Sequence, residues 1–257
     1  MIQHIIARLR QGHRTLPYPK RLPELPDRYP GRPEIDPSAC ADCPGPCVTA
    51  CPTGAITLCD PLSGGLSLDL GRCLFCTDCA AACPRGAIRF TGDFRLAASN
   101  REALILRGQP FETARPLPPE RLALFKRSLK LRQVSAGGCN ACELDINVLN
   151  TLVFDLGRFG IQFVASPRHA DGLVVTGPVT QNMRLGLEKT WQALPSPRVA
   201  VAVGACAISG GPYAGHAETA NGCAELVPVD LFVPGCSPHP WTILDGFLRL
   251  LGRGETG

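Results

Sequence analysis

Short apolar blocks separated by stretches of helical spacing fill the second half of the chain. Apolar blocks bounded by turn residues are typical of buried strands, and apolar residues three to four positions apart are typical of helices. Four strands are predicted at residues 161–165, 172–176, 198–203 and 229–233, and three helices near 143–156, 181–193 and 240–251. Strands that alternate with helices indicate an α/β domain with a mainly parallel, flavodoxin-like sheet.

Two further stretches have helical spacing. Near the N-terminus, Ile2, Ile5, Ile6 and Leu9 form one apolar face, and arginines lie at neighbouring positions. A short helix of this kind suits a membrane surface or a partner helix, and the spacing alone leaves both open. Residues 120–132 carry apolar residues at helical spacing among basic ones, so this stretch predicts a short basic helix.

Composition narrows the class of protein. A chain of 257 residues, 45% of them apolar, can bury a sizeable core. With a net charge of +4 and only 6% aromatic residues, it has no basic stripe interleaved with aromatics, so nucleic acid is not an expected partner. No apolar run approaches the roughly eighteen residues of a membrane span. The first residues lack the pattern of a signal peptide, and we therefore expect a cytoplasmic protein.

Fourteen cysteines divide into two regions, nine between positions 40 and 83 and five between 139 and 236. The first region contains an internal repeat, because residues 51–57 match residues 83–89. Proline-rich segments flank it on both sides. We therefore expect an amphipathic segment and extended arm at residues 1–37, an α+β bacterial ferredoxin domain with a linker at 38–118, and the α/β domain at 119–257.

The second half of the repeat reads Cys-x2-Cys-x2-Cys-x3-Cys-Pro, the usual run of a two-cluster ferredoxin, in which the fourth thiolate ligates the other cluster. The first half has one added residue at Pro44-Gly45-Pro46. Crossed ligation predicts one [4Fe-4S] cluster on Cys40, Cys43, Cys47 and Cys83. It predicts a second on Cys73, Cys76, Cys79 and Cys51. Zinc sites do not require eight thiolates in two such quartets, and Cys59 is interpreted as a spare buried thiol.

A second metal site is indicated by cysteines that follow predicted strands. Cys206 and Cys236 each lie three residues beyond an apolar block, and Cys139-x2-Cys142 precedes a predicted helix. Ligands of open α/β sheets gather beyond the carboxyl ends of the strands. Gly204 and Gly235 would let the backbone approach a cluster closely.

The same region resembles the small subunit of group 4 membrane-bound [NiFe] hydrogenases of the formate hydrogenlyase type, which is homologous to the complex I subunit carrying the terminal cluster. The motifs that carry the resemblance are residues 138–142, 166–171, 204–211 and 227–236. The N-terminal half, including residues 16–19 and 31–36, resembles the two-cluster ferredoxin subunit of the same complexes. The chain therefore looks like a fusion of two neighbouring subunits.

The resemblance implies a proximal [4Fe-4S] cluster on Cys139, Cys142, Cys206 and Cys236, and three clusters in all. It implies a non-catalytic electron-relay subunit, bound peripherally at the cytoplasmic face of the inner membrane. The partners that it implies are a hydrogenase-like large subunit, integral membrane subunits and an electron-donor protein. The spacing Cys139-x2-Cys142 and the presence of His169 fit the hydrogenase-like form, because complex I relatives have adjacent cysteines and usually Gln.

Some residues, and the class of the complex, admit more than one interpretation. Asp145 occupies a position where relatives usually carry Glu, so it is either a proton-handling group or a surface or capping carboxylate. Cys223 and His216 are interpreted as structural. The alternatives are a complex-I-like module without nickel that reduces quinone, and a soluble iron-sulfur redox sensor.

Overall fold

A computed structural model describes residues 2–12, 14–40, 43–58 and 65–254. Cys59, interpreted above as a spare thiol, lies outside the described residues. Helix α1 (Ile2–Gln11) buries none of its side chains. In the described part of the ferredoxin region, two short α-helices and five strands follow. They are β1 (Pro33–Ile35), α2 (Pro46–Ala50), β2 (Ile56–Leu58), β3 (Leu66–Asp69), α3 (Asp78–Ala82), β4 (Ile88–Phe90) and β5 (Ile105–Leu106).

The ferredoxin region forms two small antiparallel sheets. Strand β1 pairs with β4, and β3 lies between β2 and β5. Alternate residues of β3 are buried, because Leu66 and Leu68 face the core while Ser67 and Asp69 do not. A half-buried antiparallel strand shows this two-residue period.

The C-terminal region alternates strands and helices. Its elements are α4 (Pro119–Phe125), β6 (Leu129–Ser135), α5 (Ala141–Val148), β7 (Ile161–Phe163), β8 (Gly172–Thr176), α6 (Gln181–Ala193), β9 (Val199–Val203), α7 (Ala205–Ser209), β10 (Leu231–Val233) and α8 (Pro240–Leu250). All five strands are parallel, in the order β10-β9-β8-β6-β7. Counted from β6, this is the flavodoxin-like order 2-1-3-4-5. The predicted fold class of both regions is confirmed.

The predicted basic helix at residues 120–132 is wrong in its second half. Helix α4 ends at Phe125, and Leu129 begins the central strand β6. Leu129 and Leu131 are fully buried and Lys130 between them is exposed, which is a two-residue period. Strand β6 pairs with β7 on one side and β8 on the other. The hydrogen bonds that β6 makes to β7 and to β8 therefore outweigh the helical spacing that continues from α4 into these residues.

The other predicted elements of the α/β region differ from the observed ones mainly at their ends. Helix α6 and strand β8 have the predicted bounds. Helix α5 ends at Val148, where residues 149–154 form turns, instead of continuing to residue 156. Strand β10 is two residues shorter than predicted, and the short helix α7 after β9 was not predicted.

Contacts between the ferredoxin region and the α/β region are extensive. Ala98, which lies between β4 and β5, exchanges two backbone hydrogen bonds with Phe232 of β10, at 3.0 and 2.8 Å. The N-terminal arm is also packed: the Tyr18 hydroxyl donates to the buried Asp245 at 2.6 Å, and its ring lies 5.2 Å from that of Trp241. Within the described residues, none of the helices has the length and apolar character that a membrane crossing requires.

Candidate iron-sulfur sites

Three loops that carry cysteine pairs share one backbone conformation. In each loop, a residue with left-handed φ follows the first cysteine, and the second cysteine lies in the first turn of the short helix that comes next. The left-handed residues are Gly45 (φ 71°), Thr77 (φ 69°) and Asn140 (φ 72°). The turn reverses the chain, so both thiols of a pair can face the same space. Thr77 and Asn140 are not glycine, and a residue of that kind adopts this conformation at an energetic cost.

Cys40, Cys43, Cys47 and Cys83 form what we call the first thiol set. Burial raises the pKa of the Cys40 thiol, and the negative charges of the other three thiols raise it further. Burial likewise raises the pKa of Cys47, with the charge of Cys83 as the next cause. Although Cys83 is far from Cys47 in the sequence, the fold brings the two thiols close enough to interact.

Cys73, Cys76, Cys79 and Cys51 form the second thiol set. Burial raises the pKa of Cys73 to about 12, against a lowering hydrogen bond from the Phe75 amide, and the charges of the other three thiols add to the rise. The pKa of Cys79 is raised to about 11 by burial, with Cys76 and Cys51 among the further causes. In the structure, the Cys83 thiol therefore lies near those of Cys40 and Cys47, and the Cys51 thiol lies near those of Cys73 and Cys79.

Backbone amides point at these sulfur atoms. The Ala55 amide donates to Cys51 Sγ at 3.2 Å, and the Ala87 amide donates to Cys83 Sγ at 3.3 Å, four residues after the cysteine in both cases. Several backbone amides outweigh the effect of burial at Cys83 and lower the pKa of its thiol. Thiolate is the form that ligates metal, and amide donors stabilise it. The last cysteine of each half of the repeat, Cys51 and Cys83, therefore accepts the same kind of amide hydrogen bond.

The added residue of the first half is accommodated before the left-handed position. Gly45 holds the place that Thr77 holds in the second half, so the extra residue lies between Cys43 and Gly45. Cys47 remains buried and lies near Cys83. A Cβ at Gly45 would lie 2.9 Å from Leu58 Cδ1, so the loop also packs tightly against β2.

Cys139, Cys142, Cys206 and Cys236 form the third thiol set, at the carboxyl edge of the parallel sheet. They follow β6, β9 and β10, whose carboxyl ends face the same way. Burial raises the pKa of Cys206 to about 11, and the charges of Cys236 and Cys139 raise it further. Burial also raises the pKa of Cys142, where the next causes are Glu143 and Cys206. Cys139 and Cys236 are exposed, so this site opens to the surface.

Glycine backbone lies directly against the third thiol set. A Cβ at Gly204, which has a φ of 90°, would lie 2.5 Å from Cys142 Sγ. A Cβ at Gly211 would lie 3.0 Å from Cys206 Sγ. Only a residue without a side chain allows the chain to come this close to the sulfur atoms.

The donor chemistry of the thiol sets fits iron-sulfur clusters. Each thiolate around a cubane binds a different iron atom, so its four ligands stand farther apart than the four around zinc. Four thiols at each site, with amide donors to sulfur in both ferredoxin sets, match the chemistry of a cluster.

Sequence reasoning did not identify Glu143, which is 6% exposed and adjacent to Cys142. Two hydroxyl groups, those of Ser135 and Thr176, donate to its Oε1 atom, each at 2.6 Å. Ser135 ends β6 and Thr176 ends β8, so the carboxylate lies at the point where the strand order reverses. Both partners are polar residues at strand ends, but nothing in the sequence marks Glu143 itself as buried.

Replacing Glu143 with Gln is expected to raise the midpoint potential of a cluster on the third thiol set. For a separation of about 10 Å and an effective dielectric constant of about 20, one negative charge contributes roughly 1.7 kcal/mol, which is on the order of 70 mV for one electron. Redox titration followed by electron paramagnetic resonance (EPR) measures the shift. Glu188→Gln removes a carboxylate from an ion pair with Arg184 on α6 and serves as the control. An unchanged potential in Glu143→Gln would contradict the prediction.

The remaining candidate residues lie in different settings. Asp145 is half-buried and accepts a hydrogen bond from the hydroxyl of Ser237, next to Cys236. Cys223 lies in the core beside α7, and burial raises its pKa to about 12. His216 lies in an exposed loop and accepts from the Glu218 amide at 3.1 Å, and His169 is exposed. The structure therefore brings neither histidine into a thiol set.

Comparison with known proteins identifies two families along the chain. The model described as NADH ubiquinone oxidoreductase, 20 Kd subunit, matches residues 139–250, which contain the third thiol set. A model described as 4Fe-4S binding domain matches residues 32–56. The fold and these matches define an iron-sulfur protein of the kind found as a subunit of oxidoreductases. The chain belongs to the family of the NADH ubiquinone oxidoreductase 20 Kd subunit, here preceded by a ferredoxin region.

Individual relatives agree with this assignment. Formate hydrogenlyase subunit 7 of Escherichia coli is 44% identical over 131 residues, which are 51% of this chain and 51% of that protein. The probable membrane-bound hydrogenase subunit mbhJ of Pyrococcus furiosus is 39% identical over 49% of this chain and 76% of its own length. A subunit of the NADH-quinone oxidoreductase of Desulfovibrio desulfuricans is 42% identical over 44% of this chain and 61% of its own length. The chain thus spans about half the length of the E. coli relative.

Proposed function

We propose that this chain is the electron-relay subunit of a membrane-associated complex of the group 4 [NiFe] hydrogenase kind. The observation that carries the proposal is the packing of three four-thiol sets into one chain, with the third set open at the sheet edge. When bound, a [4Fe-4S] cluster accepts and releases one electron. The protein holds the ligands, supplies amide hydrogen bonds to sulfur and presents Cys139 and Cys236 at the surface.

The proposed ligands are those of the three thiol sets, and the proposed cofactors are three clusters. The proposed units are the arm at 1–37, the ferredoxin domain and linker at 38–118, and the hydrogenase-like domain at 119–257. An electron-donor protein would contact the ferredoxin domain, and a large catalytic subunit would cover the exposed cysteines of the third set. Integral membrane subunits would hold the assembly at the cytoplasmic face of the inner membrane, with α1 and its exposed Ile2, Ile5 and Leu9 as one contact.

A second candidate is a complex-I-like module that reduces quinone without nickel. The 42% identity to a subunit of an NADH-quinone oxidoreductase favours it. Against it stands the separated pair Cys139-x2-Cys142, since complex I relatives carry adjacent cysteines there. The difference matters for the partner, because nickel belongs to a hydrogenase large subunit and not to this chain.

Purification of the native complex with metal analysis separates these proposals. Three clusters require about twelve iron atoms per copy of this chain. About twelve iron atoms in this chain together with one nickel atom in the complex would support the hydrogenase assignment. A complex without nickel that reduces a quinone would favour the second candidate. About eight iron atoms per chain would rule out a cluster at the third thiol set.

A further inference from the structure

The loop that leads into Cys73 touches the helix that carries Cys206. Gly71, two residues before Cys73, is buried against α7. Its carbonyl oxygen accepts a hydrogen bond from the Ser209 hydroxyl at 2.8 Å, across 138 positions of sequence. Ser209 closes the helix whose second residue is Cys206. The second and third thiol sets are therefore connected through one short contact.

Gly71 leaves no room for a side chain at this contact. A Cβ there would lie 2.7 Å from Ile208 Cγ2 and 2.9 Å from Arg101 Cζ. The backbone of Gly71 does not have positive φ, so conformational freedom is not what requires glycine here. The requirement is close approach: the side chains of Ile208 on α7 and of Arg101 occupy the space that a Cβ at Gly71 would need.

The loop on the ferredoxin side is held firmly. The Gly71 amide donates to Asp69 Oδ1 at 2.8 Å, and Arg101 binds both oxygens of the same carboxylate. The Cys73 amide donates to the Asp69 carbonyl at 3.1 Å, so the anchored residue also holds the ligand. A bidentate pair of this kind fixes orientation. A displacement at Gly71 is therefore passed on to Cys73.

A second region places the same two sites side by side. Leu74 and Phe75, which separate Cys73 from Cys76, line a cavity of about 290 Å³ together with the loop that carries Cys236. The second thiol set therefore approaches the third from two directions, through the Gly71 contact and across this cavity.

We propose that Gly71, Ser209 and Ile208 are positioning residues that set the separation between the second and third thiol sets. The inference rests on the proposed function, since it concerns the spacing of two clusters in an electron relay. The Gly71 contact holds the Cys73 loop against α7, and the Ser209 hydrogen bond fixes the orientation of the two. Bulk at position 71 would push α7 and the Cys73 loop apart without touching any ligand.

The test is Gly71→Ala in the full chain with all clusters reduced, measured by pulsed EPR. We expect iron content to stay unchanged and the magnetic interaction between the second and third clusters to decrease, since it weakens with distance. The interaction between the two ferredoxin clusters should stay the same. Ser209→Ala, which adds no bulk, should give a smaller decrease. Gly186→Ala on the exposed side of α6 is the matched control, because its Cβ would meet only Met183 Cε at 3.7 Å.

An unchanged interaction between the second and third clusters in Gly71→Ala would overturn the proposal. Loss of iron in Gly71→Ala but not in Gly186→Ala, with an unchanged interaction in Ser209→Ala, would also overturn it, because Gly71 would then serve folding alone. Failure of the proposed function has a different signature, because the native complex would then lack nickel or the unsubstituted chain itself would contain fewer than about twelve iron atoms.

Discussion

Replacing Cys83 with serine is expected to remove the cluster from the first thiol set and to leave the second set occupied. Cys83 belongs to the second half of the repeat, whose Cys73, Cys76 and Cys79 belong to the second thiol set. In the structure, however, its thiol interacts with Cys40 and Cys47. Serine is a poor substitute, since soft thiolate ligands suit iron-sulfur clusters. Electron entry through the first cluster should then be lost.

Iron analysis and EPR of single and double variants test the crossing directly. Cys83→Ser should lower the iron content from about twelve to about eight atoms. Adding Cys40→Ser should cause no further loss, because both residues serve one cluster. Adding Cys73→Ser should instead remove about four more iron atoms, because Cys73 belongs to the second thiol set. Loss of the second set's EPR signal in Cys83→Ser, with the first set's signal retained, would show that ligation is not crossed.

Local spacing allowed the ferredoxin part of the site to be predicted. In the run from Cys73 to Cys83 the cysteines lie within a few residues of one another, so their spacing alone limits how far apart the thiols of Cys73, Cys76 and Cys79 can be. The internal repeat is also a local signal. Cys51 and Cys83 occupy equivalent positions in its two halves, and each accepts a hydrogen bond from the amide four residues later. Local chemistry of this kind needs no knowledge of the tertiary fold.

The third thiol set required one more assumption, that its cysteines follow strands of one parallel sheet. That assumption succeeded for Cys206 and Cys236 because β9 and β10 are apolar runs that are easy to recognise. It gave no account of Cys139, because β6 was interpreted as part of a helix. Residues 129–135 mix buried and exposed positions, and only pairing with β7 and β8 decides their structure.

Long-range contacts could not be predicted at all. The hydrogen bond between Ser209 and Gly71 joins residues 138 positions apart, and neither residue stands out in the sequence. Glu143 is similar, because its adjacency to Cys142 says nothing about burial. Its two hydroxyl partners come from the ends of separate strands. Such contacts depend on how the sheet and the ferredoxin region pack, which periodicity does not encode.

Replacing Gly204 with alanine is expected to remove the cluster from the third thiol set while both ferredoxin clusters remain. Two penalties act together. The new Cβ would lie 2.5 Å from Cys142 Sγ, a distance that forces the thiol or the backbone to move. The φ of 90° at this position also costs a residue with a side chain about 1–3 kcal/mol. The thiol of Cys142 is the more easily displaced, so the variant loses a ligand without losing a cysteine.

Iron content should therefore fall from about twelve to about eight atoms, with the EPR signals of the ferredoxin clusters unchanged. Gly157→Ala is the matched control, since that glycine is exposed and a Cβ there would meet nothing within 4 Å. Electrons supplied by dithionite should still reduce the ferredoxin clusters of Gly204→Ala but should no longer reach the large partner. Full iron content with an unaltered EPR signal from the third thiol set would mean either that Cys142 is not a ligand or that α7 moves enough to accommodate the new Cβ. Cys142→Ser distinguishes these two explanations, because only a true ligand costs the cluster when its sulfur is removed.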